Sequence, residues 1–247
     1  MVVKKSTQAI RSKTGPQAKI SKSKLDAQAR SRAEERIENI VAILIVSVLC
    51  IVAGWWIYDK MQPPTIDENA VRANIALGGA PILGNADASV TVVLFSDFEC
   101  VYCGEFARDS FPTIKERYID AGTARLAYMS FPLSQSHPYA AAAANAALCA
   151  DEQGRFWEYH DVLYANQDAL ASDDLRVHAV AAGLDAQMFD DCMQDELFAA
   201  VIDRTVVYGK SLGVTGTPTF FFNGRKVVGA LTPEDFAREI DAELATG

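Results

Sequence analysis

Positive charge is scarce in most of this 247-residue sequence. Of its 23 Lys and Arg, ten fall in residues 1–38 beside four Asp and Glu, which leaves 13 against 28 acidic residues thereafter. A body this acidic lacks the concentrated basic face that phosphate binding needs, which excludes nucleic acid as a partner. Histidine is scarcer still. The three that occur, His137, His160 and His178, show no zinc-finger spacing. The five methionines are too scattered for a copper site. Among five cysteines there is one close pair, and a structural zinc site usually wants two. No internal repeat and no cofactor motif is present.

Charge of either sign is missing from Ile40 to Tyr58, "IVAILIVSVLCIVAGWWIY". Nineteen uncharged residues come close to the ~20 of a membrane-spanning helix. Trp55, Trp56 and Tyr58 stand at its far end, where aromatic side chains settle at the interface. The positive charge lies on the near side, so the N-terminus is expected in the cytoplasm and the rest outside it. A cleaved signal peptide is the alternative, but the charged region before the apolar run is long and bulky aromatics follow it. The expected plan is a basic, disordered cytoplasmic tail over residues 1–38, a signal anchor over 39–59, a linker over 60–88 rich in Gly, Pro and small residues, and one domain over 89–247.

Four cysteines then lie outside the cytoplasm: Cys100, Cys103, Cys149 and Cys192. An even number in an oxidising compartment favours disulfides over metal. "VTVVLFSDF", Val90–Phe98, is β-branched and aromatic and predicts a buried strand. The segment after Cys100 predicts a helix, which Pro112 should kink or restart. Thr123–Leu133 predicts a second strand. From about 134 to 208 the alanine-rich pattern predicts several helices. "TPTFFFNGRKVVGA" puts Asn223-Gly224 between two apolar runs, a hairpin signal. Thr232 and Pro233 open a closing helix.

A Cys-x-x-Cys after a strand and at a helix start has a chemical consequence. The first thiol, Cys100, sits among free backbone N–H groups at the positive end of the helix dipole, which favours thiolate. The second, Cys103, lies one turn further in and can attack a mixed disulfide formed on the first. Further along, "GVTGTPT" sets Pro218 just before a strand.

"FSDFECVYC", "HPYAAAAANAALCADEQGRFWEYHDVLY" and "GVTGTPTFFFNG", in that order, resemble the DsbA-like thiol:disulfide oxidoreductases. The resemblance implies an α/β thioredoxin fold with a helical insertion at about 134–208, preceded here by the single transmembrane helix. It places Thr217-Pro218 in cis beside the redox cysteines, with the Thr217 backbone pairing with an extended client peptide and Val101 and Tyr102 at the same client-binding surface. It implies a second, structural disulfide, Cys149–Cys192. It also implies exported clients and a membrane partner that reoxidises the pair, with no cofactor or metal. Two departures stand out. Leu94 occupies the position where many thioredoxin-fold enzymes carry a buried acid. Val101-Tyr102 lacks the histidine that stabilises the thiolate in strongly oxidising members, while Glu99 and Glu105 should raise the Cys100 pKa. Oxidation of clients is the expected direction. The alternatives are a reductase or isomerase, against which the missing dimerisation domain counts in the isomerase case, and a Cu(I) carrier using two soft thiolates.

Overall fold

A computed structural model describes Ser47 and residues 72–246. The expected anchor, residues 39–59, falls outside the described residues apart from Ser47, and among the described residues no helix is long and apolar enough to cross a membrane.

Five strands form one sheet in the order β1-β3-β2-β4-β5. They are β1 (Ile82–Gly84), β2 (Val90–Ser96), β3 (Ala124–Ser130), β4 (Thr219–Phe222) and β5 (Arg225–Val228). β2 and β3 run parallel and the other neighbours antiparallel. The alternation of side chains along a strand splits the apolar residues between two faces. Val92, Leu94, Tyr128, Phe220 and Phe222 face the larger core, whereas Val93, Phe95, Met129 and Phe221 face the smaller one.

The helix after β2 is not uniform. It begins as α1 (Val101–Glu105), passes through a π-helical turn (Phe106–Ser110), resumes as α2 (Phe111–Ile114) and ends in a second π turn (Lys115–Ile119). Pro112 lies in the first turn of α2, where its missing N–H costs little. The widened turn before it lets the chain run on without a break. The insertion holds α3 (Ala140–Asp151), α4 (Phe156–Ala165), α5 (Ser172–Ala181), α6 (Ala186–Gln194) and α7 (Ala199–Ser211). Alanine in α3 keeps its buried face flat, so α4 and α6 approach closely. The sulfurs of Cys149 on α3 and Cys192 on α6 are bonded at 2.00 Å. On the other face of the sheet, α7 comes so near that a Cβ on Gly209 would lie 2.8 Å from the Phe131 ring.

At the β4–β5 turn Asn223 and Gly224 both take positive φ, 45° and 90°, as a two-residue hairpin requires. α8 (Pro233–Leu244) closes the chain, its N-terminus capped by Thr232 Oγ1, which accepts from Asp235 N at 3.1 Å. α8 also supplies Glu239 and Glu243, both buried, to Arg225 on β5 at 2.5 and 3.0 Å.

The linker expected over residues 60–88 needs correction at its C-terminal end. Residues 72–84 belong to the domain. Glycine at 78, 79 and 84 gives this stretch the composition of a connector, but Ile75 and Leu77 pack on the smaller core and Ile82–Gly84 forms the edge strand. Arg72 Nη1 lies 2.5 Å from Glu243 Oε2, and Ala73 N donates to Gly224 O at 2.9 Å. Gly224 admits this approach because a Cβ there would lie 2.2 Å from Ala73 O.

Candidate active site

The strand ends at Ser96, and "DFE" turns the chain into α1. Asp97 makes that turn rigid. Its carboxylate is fully buried and accepts from Glu99 N at 2.8 Å, Leu133 N at 2.8 Å and His137 Nδ1 at 2.7 Å. Its carbonyl accepts from Cys100 N at 3.1 Å. One side chain therefore ties the start of the redox helix to the loop after β3.

Cys100 is the N-cap residue of α1, in extended conformation. Its residue is only 5% exposed, yet its flanking partners Val101 and Tyr102 are 64% and 57% exposed. Cys100 and Cys103 are both free thiols. The Cys100 pKa is lowered from 9.0 to about 6. The hydrogen bond from the Cys103 thiol contributes most. Burial works against it, and the Thr217 hydroxyl with the backbone N–H groups of Cys103 and Tyr102 completes the shift. At pH 7 such a thiol is roughly nine-tenths thiolate. The acidic flanks do not prevent this. Glu99 is engaged elsewhere, accepting from Tyr139 N at 2.7 Å just before α3.

Cys103 is 1% exposed, and burial pushes its pKa well above the usual thiol value, with the hydrogen bond and charge of Cys100 adding to the effect. Two neighbouring cysteines thus differ in the sense that disulfide exchange uses: a thiolate at the helix start, flanked by the exposed Val101 and Tyr102, and a more deeply buried thiol.

The Thr217-Pro218 peptide bond is cis. It brings Thr217 O to 3.4 Å from Cys100 Sγ. Thr217 Oγ1 is buried without another hydrogen-bond partner and faces the same sulfur. Cys149 and Cys192 stand away from this cluster, within the insertion. Leu94 is buried in register with Tyr128 and Phe220, so no carboxylate stands at that position.

Several neighbours of the pair were not singled out from sequence. Gln167, just after α4, donates from Nε2 to Phe98 O at 2.8 Å and to Cys100 O at 2.9 Å, and Arg108 donates to its Oε1 at 2.7 Å. Gly104 makes room for it. His137 carries a raised pKa: burial opposes its charge, but the Asp97 hydrogen bond and charge outweigh that, with smaller contributions from Cys100 and Glu99. His160, in contrast, is buried within the aromatic cluster, and its pKa is lowered by that burial. Among the described residues no group of His, Cys, Asp and Glu could hold a metal ion.

Comparison with known proteins agrees with this fold. The family model described as thioredoxin matches residues 77–242. The Na(+)/H(+) antiporter NhaA 3 of Salinispora tropica is 37% identical over 190 residues, covering 77% of this chain and 27% of its own. This chain therefore spans about a quarter of the length of that relative. Disulfide bond formation protein D of Bacillus subtilis is 24% identical over 188 residues, covering 72% of this chain and 82% of its own. Among solved structures, α-DsbA1 of Wolbachia pipientis superposes with a TM-score of 0.62 at 24% identity, over 70% of this chain and 94% of that one.

Proposed function

The chain belongs to the thioredoxin family, and on that premise we propose that it is a DsbA-like thiol:disulfide oxidoreductase, a membrane-anchored oxidase that introduces disulfides into exported proteins. The observation that carries the reading is the lowered pKa of Cys100 at the helix start, against Thr217 O, with Cys103 buried behind it. In the disulfide form, a client thiolate attacks Cys100 Sγ. The Cys100–Cys103 bond breaks, a Cys100–client bond forms, and Cys103 leaves with the electron pair. A second client thiolate then attacks the client sulfur of this mixed disulfide. The client disulfide forms and Cys100 leaves as thiolate. Two electrons have passed from client to protein, and a membrane redox partner takes them away.

Each group has a part. Helix N–H groups and the Thr217 hydroxyl hold the Cys100 thiolate, which makes Cys100 a good leaving group and the reduced form the more stable one. The Thr217 carbonyl pairs with the backbone of an extended client peptide, and Val101 and Tyr102 touch its side chains. The uncharged run Ile40–Tyr58 supports a single-pass anchor with the N-terminus in the cytoplasm and the domain outside. Sodium/proton exchange forms no part of the reading, because the relative named for it is matched over 27% of its length.

The test is trapping and titration. Cys103→Ser should accumulate client mixed disulfides on Cys100, and Cys100→Ser should accumulate none. Equilibration with glutathione should give a potential near ~−120 to −200 mV, and a value near ~−270 mV would mean a reductase instead. A reporter fused after Gly247 should be active outside the cytoplasm, and a mature N-terminus beyond residue 50 would replace the anchor with a cleaved leader.

A further inference from the structure

Exchange at Cys100, as proposed above, passes through a state in which Cys103 carries negative charge in a buried place. Leu94 offers no carboxylate to manage it, and the Asp97 carboxylate is taken by Leu133 N, Glu99 N and His137. The groups behind Cys103 are hydroxyls. Ser96 stands beside Cys103, where its hydroxyl favours the thiolate against the burial that opposes it. Ser96 Oγ lies 2.7 Å from Tyr164 Oη, which lies 3.1 Å from Tyr128 Oη and 3.4 Å from the Asp97 carbonyl oxygen. Ser96, Tyr128 and Tyr164 are all buried, and they come from β2, β3 and the insertion helix α4.

This chain of oxygens can be satisfied in two ways, because hydroxyl groups rotate. With Cys103 as thiolate, Tyr128 donates to Tyr164, Tyr164 to Ser96, and Ser96 to the sulfur, so every O–H dipole is directed at the charge. With Cys103 as thiol, its S–H donates to Cys100, Ser96 donates to Tyr164, and Tyr164 to the Asp97 carbonyl, while Tyr128 still donates to Tyr164. No heavy atom needs to move. Burial holds both phenols well above their usual pKa, with the negative charges of Cys103 and, for Tyr128, Asp97 adding to it, so they act as donors that keep their protons. Linked donors polarise one another, which strengthens the bond to the sulfur.

We propose that Ser96, Tyr164 and Tyr128 form a reversible hydroxyl chain that bears the charge of Cys103 each time the Cys100–Cys103 bond opens or closes, with Ser96 as the hydroxyl that turns to the reacting sulfur and the two tyrosines as positioning residues. Cys103 leaves as a thiolate into this chain and later takes a proton from solution. The chain serves in place of a carboxylate at position 94. It also makes the insertion a part of the chemistry, since Tyr164 belongs to α4.

The test uses the purified full chain. Reduction of the Cys100–Cys103 disulfide by glutathione is followed across pH. Removal of a hydrogen bond to a charged sulfur should slow it roughly tenfold or more in Ser96→Ala and several-fold in Tyr164→Phe. Ser96→Thr should restore the rate. Alkylation of Cys100 in the reduced protein, in which Cys103 does not leave, should stay within about twofold of the wild type. A separate arm needs no exchange activity: alkylation of Cys103 in a Cys100→Ser background, blanked against the double serine variant, should fall on adding Tyr164→Phe because less thiolate is present. If wild-type protein fails to react with glutathione, the proposed function fails and this arm alone judges the hydroxyl chain. If Ser96→Ala does not fold, Tyr164→Phe, which removes one oxygen, carries the test. Unchanged glutathione and Cys103 alkylation rates in the variants that fold, or no recovery with Ser96→Thr, would overturn the proposal.

Discussion

Reduced protein should gain stability over oxidised protein as the pH rises from about 6 to 9. The perturbation is proton release from one thiol. In the folded reduced protein Cys100 titrates at about 6, and in the unfolded chain at the ordinary 9.0. Between those values the unfolded chain holds a proton that the native protein has released, so unfolding free energy increases with pH. The contribution is complete above 9 and is lost as the pH falls through 6. At ~1.36 kcal/mol per pH unit that difference sets an upper limit of about 4 kcal/mol, and screening of the charge reduces it to roughly 2 kcal/mol. Above 9 the trend reverses, because buried Cys103 keeps a proton that the unfolded chain gives up. The disulfide form has neither titration. His137 is common to both forms, so subtracting one stability from the other removes most of its influence. Urea unfolding of both forms at pH 5.5, 7 and 8.5 would measure the difference, and a reduced Cys100→Ser variant should lose the slope. A difference that is flat or falls between pH 5.5 and 8.5 would refute the assignment of Cys100 as the stabilised thiolate.

Other perturbations test the surroundings. Gly104→Ala places a Cβ 1.8 Å from Gln167 Oε1 and 2.5 Å from Arg108 Nη1, so Gln167 must release the Phe98 and Cys100 carbonyls. Two hydrogen bonds at ~1 kcal/mol each outweigh the helix gain of ~0.5–1 kcal/mol, for a net loss near 1 kcal/mol in urea unfolding. Replacing Cys149 and Cys192 together by alanine opens a link between residues 43 apart, worth ~4 kcal/mol in the chain-entropy account. Thermal unfolding should reveal the loss, while the alkylation rate of Cys100 stays unchanged. His137→Ala removes a group whose folded pKa is raised above its ordinary 6.5. Its contribution is complete below 6.5 and lost as the pH rises through the folded value, so the variant should lose stability at pH 5.5 more than at pH 8.5 in both redox forms.

Local chemistry made part of this molecule legible from its sequence. Val90–Phe98 announces a strand by composition, Asn223-Gly224 announces a turn by its tolerance of positive φ, and Thr232-Pro233 announces a helix start. Each signal is complete within a few residues. The partners of the redox pair are not of that kind. Tyr164 meets Ser96 across 68 residues, Gln167 meets Cys100 across 67, and His137 meets Asp97 across 40. A tyrosine or glutamine at the end of an amphipathic helix has nothing in its own neighbourhood to mark it. The edge strand β1 was hidden for a different reason. Its three residues include Gly84, and its pairing partner β3 begins forty residues later.

The clamp on residues 72 and 73 has a mechanical consequence. β4 starts at Thr219, opposite Phe95 near the cysteines, and ends at Phe222, opposite Val92. The Asn223–Gly224 turn that holds Ala73 therefore lies at the far end of the sheet from Pro218. A pull on the chain before Arg72 is delivered first to the Arg72–Glu243 pair and the Ala73–Gly224 hydrogen bond, then to the β4–β5 hairpin and α8. The handle of the domain and its working end are at opposite poles, so a tug on the handle can be spent in that clamp before it reaches the geometry around Cys100.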